Sequence, residues 1–245
     1  MTLSKLFLAV GFVTFWSTSA QALTIDVSQY DGSAYGNGQG VFEGFEVHGA
    51  VHGEGEVANG FSTAVGTFST LGGVGTGGTV SGLPGNSGSM LALREGNVFG
   101  RENVSPNGGS WFLDSNDTWG LNWDVALAGG KLFTKLIFTV SDASDVGGFL
   151  RISTGGQNHE VRTGGKLSNG NVQLVTIDFG APTNSATIAL ANYSSLGGNN
   201  PVRNDGFSID GVQIAAVPLP PSILLLGGAL FGLGFVSYRR RRVLV

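Results

Sequence analysis

Paired glycines are the feature that most restricts the fold of this chain. They recur between residues 72 and 198 and separate short runs of β-branched and aromatic residues. Glycine adopts positive φ without strain, so such pairs are typical of tight turns between strands. They include Gly72-Gly73, Gly77-Gly78, Gly129-Gly130, Gly147-Gly148, Gly155-Gly156, Gly164-Gly165 and Gly197-Gly198. The pattern predicts many short strands joined by turns.

The runs between these turns predict eight strands, and no stretch within residues 23–216 has the period of an amphipathic helix. The predicted strands are Thr24–Ser28, Val41–Val47, Ser89–Leu93, Leu132–Val140, Phe149–Ser153, Val172–Phe179, Ala186–Ala191 and Phe207–Ile214. Many short strands with turn signals indicate an all-β fold, and we expect an antiparallel two-sheet sandwich. The run 207–214 resembles the last strand of jelly-roll carbohydrate-binding modules, which implies a jelly-roll-like subtype.

The run 132–140 predicts a central strand. Leu132, Leu136 and Phe138 share one face of an extended chain, while Phe133 and Ile137 share the other. Both faces are therefore partly apolar, as in a strand that is covered on both sides.

Charge and cysteine content exclude several classes of function. All 17 acidic residues fall within 23–216 together with 8 of the 13 basic ones, which makes the formal net charge of this segment −9. Such a segment repels nucleic acid and anionic membrane surfaces, so neither is expected as a partner. The chain has no cysteine, which excludes thiol catalysis and cysteine-ligated metal sites.

The N-terminus has the pattern of a secretory signal peptide over residues 1–22. Lys5 provides a positive charge, the apolar run 6–16 follows, and Ala20 and Ala22 form a small-x-small cleavage site. We expect signal peptidase to cut after Ala22. Residues 23–216 are then an exported domain, long enough to bury a core of its own.

The C-terminal residues 217–245 have the pattern of a membrane tail. Residues 222–238 are uncharged and mostly apolar, and as a helix they span about 25 Å, close to the thickness of a hydrocarbon core. A stop-transfer cluster of Arg239, Arg240, Arg241 and Arg242 follows. Such clusters stay in the cytoplasm, so we expect one transmembrane helix with residues 23–216 on the opposite side.

The three parts of this tail resemble the PEP-CTERM class of sorting tails. The motif at 217–221 consists of Val217, Pro218, Leu219, Pro220 and Pro221 and is similar to the VPLPA-CTERM variant, although that family usually has alanine at the fifth position. The resemblance implies that an exosortase cuts near the motif. The precursor would be anchored in the inner membrane and then released to the cell surface or an exopolysaccharide matrix. An ordinary single-pass anchor is the alternative.

Acidic and histidine side chains between residues 46 and 56 raise the question of a metal site. In an extended chain, a single face would carry Glu46, His48, His52, Glu54 and Glu56. These are ligands for zinc, copper or nickel. A strand spaces them about 7 Å apart, so we interpret the stretch as the solvent face of a strand.

A second acidic stretch suggests calcium as the candidate cofactor. Asp114, Asn116 and Asp117 place three oxygen-bearing side chains close together, and calcium prefers such oxygens. The alternative is that these side chains only cap a turn through hydrogen bonds to nearby backbone groups.

Three tryptophans flank the same stretch. Trp111, Trp119 and Trp123 are candidates for contact with a glycan, because aromatic rings stack on the apolar faces of sugars. The alternative is that they belong to the core.

No catalytic constellation is visible. The chain has three histidines, none of them beside a G-x-S-x-G turn, and nothing singles out a pair of carboxylates for glycoside hydrolysis. We therefore expect a non-catalytic exported surface or matrix protein that associates with exopolysaccharide. A polysaccharide-active enzyme and a membrane-anchored periplasmic binding protein are the alternatives.

Overall fold

The computed structural model describes residues 22–35, 40–76, 89–145, 148–162, 165–194, 199–203 and 206–217. The predicted signal peptide, apart from Ala22, lies outside these ranges. So do the tail after Val217, the transmembrane helix predicted in it and its arginine cluster. None of the helices in the described ranges has the length and apolarity that a membrane crossing requires.

Strands dominate the described residues. One α-helix, one 3-10 helix and sixteen strands have the following bounds: β1 Thr24–Gln29, β2 Val41–Glu43, α1 Glu46–His52, β3 Gly55–Glu56, β4 Phe61–Thr63, β5 Gly66–Thr70, β6 Ala92–Glu95, β7 Asn97–Val98, β8 Arg101–Glu102, β9 Trp111–Asp114, β10 Gly120–Ala126, the 3-10 helix Ala128–Gly130, β11 Phe133–Ser141, β12 Gly148–Thr154, β13 Gln157–Glu160, β14 Val172–Thr183, β15 Ser185–Ser194 and β16 Ser208–Ala216.

These strands form two large sheets and one small hairpin. The eight-stranded sheet has the order β1-β14-β11-β16-β9-β6-β3, with β2 also paired to β16. The six-stranded sheet has the order β13-β12-β15-β10-β5-β4, and β7 pairs with β8 alone. Adjacent strands run antiparallel in each sheet, which confirms the predicted antiparallel all-β fold.

One core joins the two large sheets. Trp123 of β10 stacks on Phe68 of β5, with ring centroids 5.1 Å apart. It also meets Phe138 of β11 in the other sheet edge-on at 5.8 Å. These side chains are fully buried, so the facing sides of the sheets are held together by apolar contact.

Strand β11 is central, as predicted, but a bulge changes which side chains face the core. It pairs with β14 on one side and β16 on the other, and the register shifts between Phe133 and Lys135. Phe133 is consequently fully buried like Leu136, whereas Leu132 is 43% exposed. Strict alternation places Phe133 on the face opposite Leu136, and the bulge, at which β11 has one more residue than β16, reverses that assignment.

The prediction of an extended chain from Glu46 to Glu56 is wrong. Strand β2 ends at Glu43, well before the predicted end at Val47, and residues 46–52 form helix α1. Gly49 is the buried residue of this helix and packs on Trp111, where a Cβ would overlap the indole ring. Val47 and Val51 point to solvent. The helix therefore lacks the apolar periodicity from which an amphipathic helix is predicted.

Candidate functional site

A tight turn joins strands β9 and β10. Asn116 and Asp117 adopt left-handed backbone conformations, with φ of 55° and 54°. Asparagine and aspartate tolerate this region better than other side-chain-bearing residues. The turn is fixed from within, because Asp114 Oδ1 accepts a hydrogen bond from the backbone N–H of Asn116 at 2.8 Å.

Two buried guanidinium groups flank the carboxylate of Asp114. Arg101 Nη1 donates to Asp114 Oδ1 at 2.8 Å, and Arg94 Nε lies 3.9 Å from Oδ2. The same Arg101 nitrogen lies 3.3 Å from Asp117 Oδ1. Burial raises the pKa of Asp117, although the charge of Arg101 acts in the opposite direction.

The structure brings the predicted calcium ligands together but turns their oxygens toward arginine. Asn116 Oδ1 accepts from Arg94 Nη2 at 3.4 Å, while its Nδ2 donates to Met90 O at 2.9 Å. Within the described ranges, no group of three or more His, Asp or Glu side chains is placed to hold a metal ion. Calcium binding by Asp114, Asn116 and Asp117 stays a prediction, and the ion would have to compete with two guanidinium groups.

The acidic and histidine side chains of 46–56 have separate partners. Glu46 Oε1 accepts the backbone N–H groups of Ser110 and Trp111, both at 2.8 Å. His48 Nε2 lies 3.4 Å from Glu43 Oε2. The side chain of Glu54 accepts from the backbone of Glu95 and that of Glu56 from the backbone of Ser89. These contacts fix the start of α1 and the flanks of β3.

The three tryptophans occupy different surroundings. Trp123 is fully buried and its Nε1 donates to Val65 O at 3.1 Å, so contact with a glycan does not fit this ring. Trp111 is half-buried over Gly49, and Trp119 is half-buried over Gly72. Glycan contact through Trp111 and Trp119 stays a prediction.

A different aromatic pair lies on the outer face of the six-stranded sheet. Along β12, Leu150 and Ile152 are fully buried in the core, so the residues that alternate with them, Phe149, Arg151 and Ser153, point away from it. Phe149 pairs directly with Tyr193 of β15. Their rings stack with centroids 5.5 Å apart and planes 16° apart.

Two arginines cover this aromatic pair. Arg162 Cζ lies 4.3 Å from the ring centroid of Phe149, and Arg151 Cζ lies 4.4 Å from that of Tyr193. Glu160 Oε1 accepts from Arg151 at 3.2 Å and Glu160 Oε2 from Arg162 Nε at 3.1 Å. Burial opposes ionisation of Glu160, but the hydrogen bonds from both arginines lower its pKa overall. We call these five residues the aromatic–arginine cluster.

A polar groove adjoins the cluster where the edge strands β1 and β13 of the two sheets lie side by side. Its volume is about 260 Å³, and Arg162 lines it together with Gln29, His159 and Gln173. A neighbouring hollow of about 310 Å³ shares Gln29 and Gln173. Amide, imidazole and guanidinium groups on one concave surface can hydrogen-bond the hydroxyl groups of a sugar.

Sequence reasoning missed the cluster and the groove because their residues lie far apart along the chain. Phe149 and Tyr193 meet only through the pairing of β12 with β15, and Gln29 reaches the groove from β1. Only Phe149 and Arg151 could have been placed on a common face from the local sequence. The predicted strand 149–153 alternates Phe149 and Arg151 with core residues, which places both on the outer face.

Two buried aspartates have strongly shifted pKa values, and neither side chain lines the groove or the neighbouring hollow. Burial raises the pKa of Asp210 to about 7, against the lowering effect of hydrogen bonds from the backbone of Gly211 and Val104. Burial likewise raises the pKa of Asp142 to about 6. Since their carboxylates bond to backbone amides, we assign them to the stability of the fold.

Comparison with known protein families found no match for this chain. Comparison with curated proteins likewise found no relative.

Proposed function

We propose that this protein is an exported, non-catalytic surface or extracellular-matrix protein that associates with exopolysaccharide. The aromatic–arginine cluster beside a polar groove is the observation that carries this proposal. Guanidinium groups held in place by packed aromatic rings, next to side-chain amides on a concave surface, can hydrogen-bond the hydroxyl groups of a sugar. The accompanying fold is a two-sheet sandwich, supported by the core that both sheets share, and its proposed jelly-roll subtype rests on the resemblance of the strand at 207–214.

The outer face of the six-stranded sheet has room for an extended ligand. Register places Ser153, Ala189 and Asn122 in one row across β12, β15 and β10, with Asn158 beside them on β13. These side chains are small or carry amide and hydroxyl groups, and they are half-buried or exposed. A polymer lying across such a row meets hydrogen-bonding groups with few bulky obstacles.

The proposed route to the cell surface rests on the two ends of the chain. Strand β1 begins at Thr24, two residues after the proposed signal peptidase site. Strand β16 ends at Ala216, directly before the motif 217–221, and Val217 N donates to Leu132 O at 2.8 Å. The motif would then directly follow the folded domain, at the face of the membrane, where an exosortase could reach it.

Affinity electrophoresis tests the proposed binding. The mature protein, recovered from the surface of producing cells, is run through gels containing the organism's own exopolysaccharide. We expect strong retardation, at least tenfold weaker binding by Tyr193→Ala, and no change for Ser62→Ala. Ser62 is exposed on β4 at the opposite edge of the same sheet, which makes it the matched control.

Two outcomes of that experiment contradict the proposal. Absence of retardation by the exopolysaccharide removes the binding function. Release of new reducing ends from the polymer, lost on changing one carboxylate, replaces it with an enzyme.

A further inference from the structure

The rings of the cluster have little open surface on which a sugar could stack. Phe149 is only 9% exposed, because Tyr193 and Arg162 cover it. Arg151 lies over the ring of Tyr193. Stacking of a neutral sugar requires an open aromatic face, so the aromatic pair serves here mainly to position the two guanidinium groups.

The cluster carries a local excess of positive charge on an acidic domain. Arg151 and Arg162 share the single carboxylate of Glu160. Their side chains are 28% and 29% exposed, so part of each guanidinium reaches solvent. A guanidinium has five N–H donors, and the three nitrogens that bond Glu160 use only part of this capacity.

No carboxylate among the described residues that line the groove offsets this positive charge. Among the described residues that line it and the neighbouring hollow, Arg162 and His159 are the ionisable side chains besides Tyr30, and none of the lining side chains is a carboxylate. The remaining polar groups include the side-chain amides of Gln29, Gln173 and Asn171. An anionic group entering from solvent therefore meets the guanidinium of Arg162 together with amide and hydroxyl groups.

We propose that the aromatic–arginine cluster and groove form a subsite for a carboxylated sugar residue of an acidic polysaccharide. Arg162 and Arg151 bind the sugar carboxylate, and the amides of the groove bind neighbouring hydroxyls. This inference rests on the proposed function and narrows it to one class of polymer. Guanidinium and carboxylate match as planar, bidentate partners, which favours a carboxylate over a neutral substituent.

The carboxylate of Glu160 is expected to oppose the binding of an acidic sugar. In the absence of ligand, its carboxylate occupies the donors of both arginines. It therefore competes with a sugar carboxylate for the same donors and repels it. Removing the charge with Glu160→Gln is expected to strengthen binding of an acidic polymer severalfold, whereas Arg162→Gln is expected to weaken it at least tenfold.

The test compares two pairs of ligands, and the members of each pair share a sugar backbone and differ in charge. The full mature protein is titrated with polygalacturonate, with the same polymer after methyl esterification, with neutral dextran and with dextran sulfate. We expect tight binding to polygalacturonate that falls at least tenfold on esterification. Lys135→Gln removes an exposed cation of the other sheet and is the matched control, expected to bind like the parent protein. Thermal unfolding of each variant establishes that it is folded.

Each other result overturns the inference in a distinguishable way. Equal binding of the esterified and free polymers means that the carboxylate is not recognised. Equal binding of dextran sulfate, with the same dependence on Arg162, means that any anion suffices. A Tyr193-dependent attachment to neutral dextran that ignores Arg162 and Glu160 leaves the proposed function intact but removes the acidic specificity. Binding to none of these polymers or to the organism's exopolysaccharide removes both.

Discussion

Arg101 donates a hydrogen bond to the carboxylate of Asp114 across 2.8 Å, and both side chains are almost completely buried. The bond ties β8 to the end of β9, where the chain turns toward β10. Two charges removed from water are tolerated only while each has its partner. The turn at 114–118 therefore depends on a contact between residues thirteen positions apart.

Loss of this partner is expected to destabilise the protein strongly. Asp114→Asn leaves Arg101 and Arg94 buried without their shared counter-charge and is expected to lower the free energy of unfolding by about 3–5 kcal/mol. Urea denaturation measures the change. Lys135→Ala is the control, because Lys135 and Asp178 form an exposed ion pair at 3.7 Å whose loss costs at most about 1 kcal/mol. Equal effects of the two changes would refute a structural role for the buried pair.

Stability is expected to rise as the pH falls from about 8 to about 5. The pKa of Asp210 in the folded protein is about 7, above its value of about 3.9 in an unfolded chain. The folded state therefore holds a proton over a range in which the unfolded state has lost it, and the contribution to stability disappears as the pH rises through 7. Asp142, with its pKa raised to about 6, acts in the same direction.

Asp210→Asn isolates this effect. From pH 5 to pH 8 the free energy of unfolding of the parent protein is expected to fall by on the order of 2 kcal/mol more than that of the variant. Urea denaturation at several pH values measures both. Asp26→Asn, on the exposed side of β1, is the control and is expected to follow the parent. Parallel pH profiles for the parent and Asp210→Asn would show that Asp210 is not the titrating group.

Gly49→Ala is expected to destabilise the protein although alanine is the better helix former. In an open helix the change gains up to about 1 kcal/mol. Here the new methyl group overlaps the ring of Trp111, and overpacking of this kind costs about 1–3 kcal/mol. Thermal unfolding and tryptophan emission report the change. Val51→Ala, at a side chain 86% exposed, is expected to be nearly neutral, and a stabilised Gly49→Ala protein would disprove the packing of α1 on Trp111.

Calcium titration decides between the two interpretations of the 114–117 turn, a calcium site and a turn held by hydrogen bonds of its own side chains. Because arginine already neutralises Asp114, we expect neither millimolar calcium nor a chelator to move the midpoint of thermal unfolding. Magnesium is the control for an effect of ionic strength. A calcium-specific rise in the midpoint that Asp117→Asn abolishes would establish the site.

The longer strands could be predicted because their signal is local. Alternation of apolar and polar residues placed β1, β14, β15 and β16 within a few residues of their observed bounds. The same signal was present in β10, where Leu121, Trp123 and Val125 alternate with polar residues, yet no strand was predicted there. Helix α1 gave no such signal, because it packs through one glycine and exposes its valines.

The sequence by itself determined the antiparallel all-β class, since glycine turns and alternating strands are properties of neighbouring residues. It could not determine partners across the sheets. The contact of Asp114 with Arg101 and that of Trp123 with Phe68 depend on register and on which faces pack together. The cluster of Phe149, Tyr193 and Arg162 arises in the same way, because strand pairing brings distant residues together only once the tertiary structure has formed.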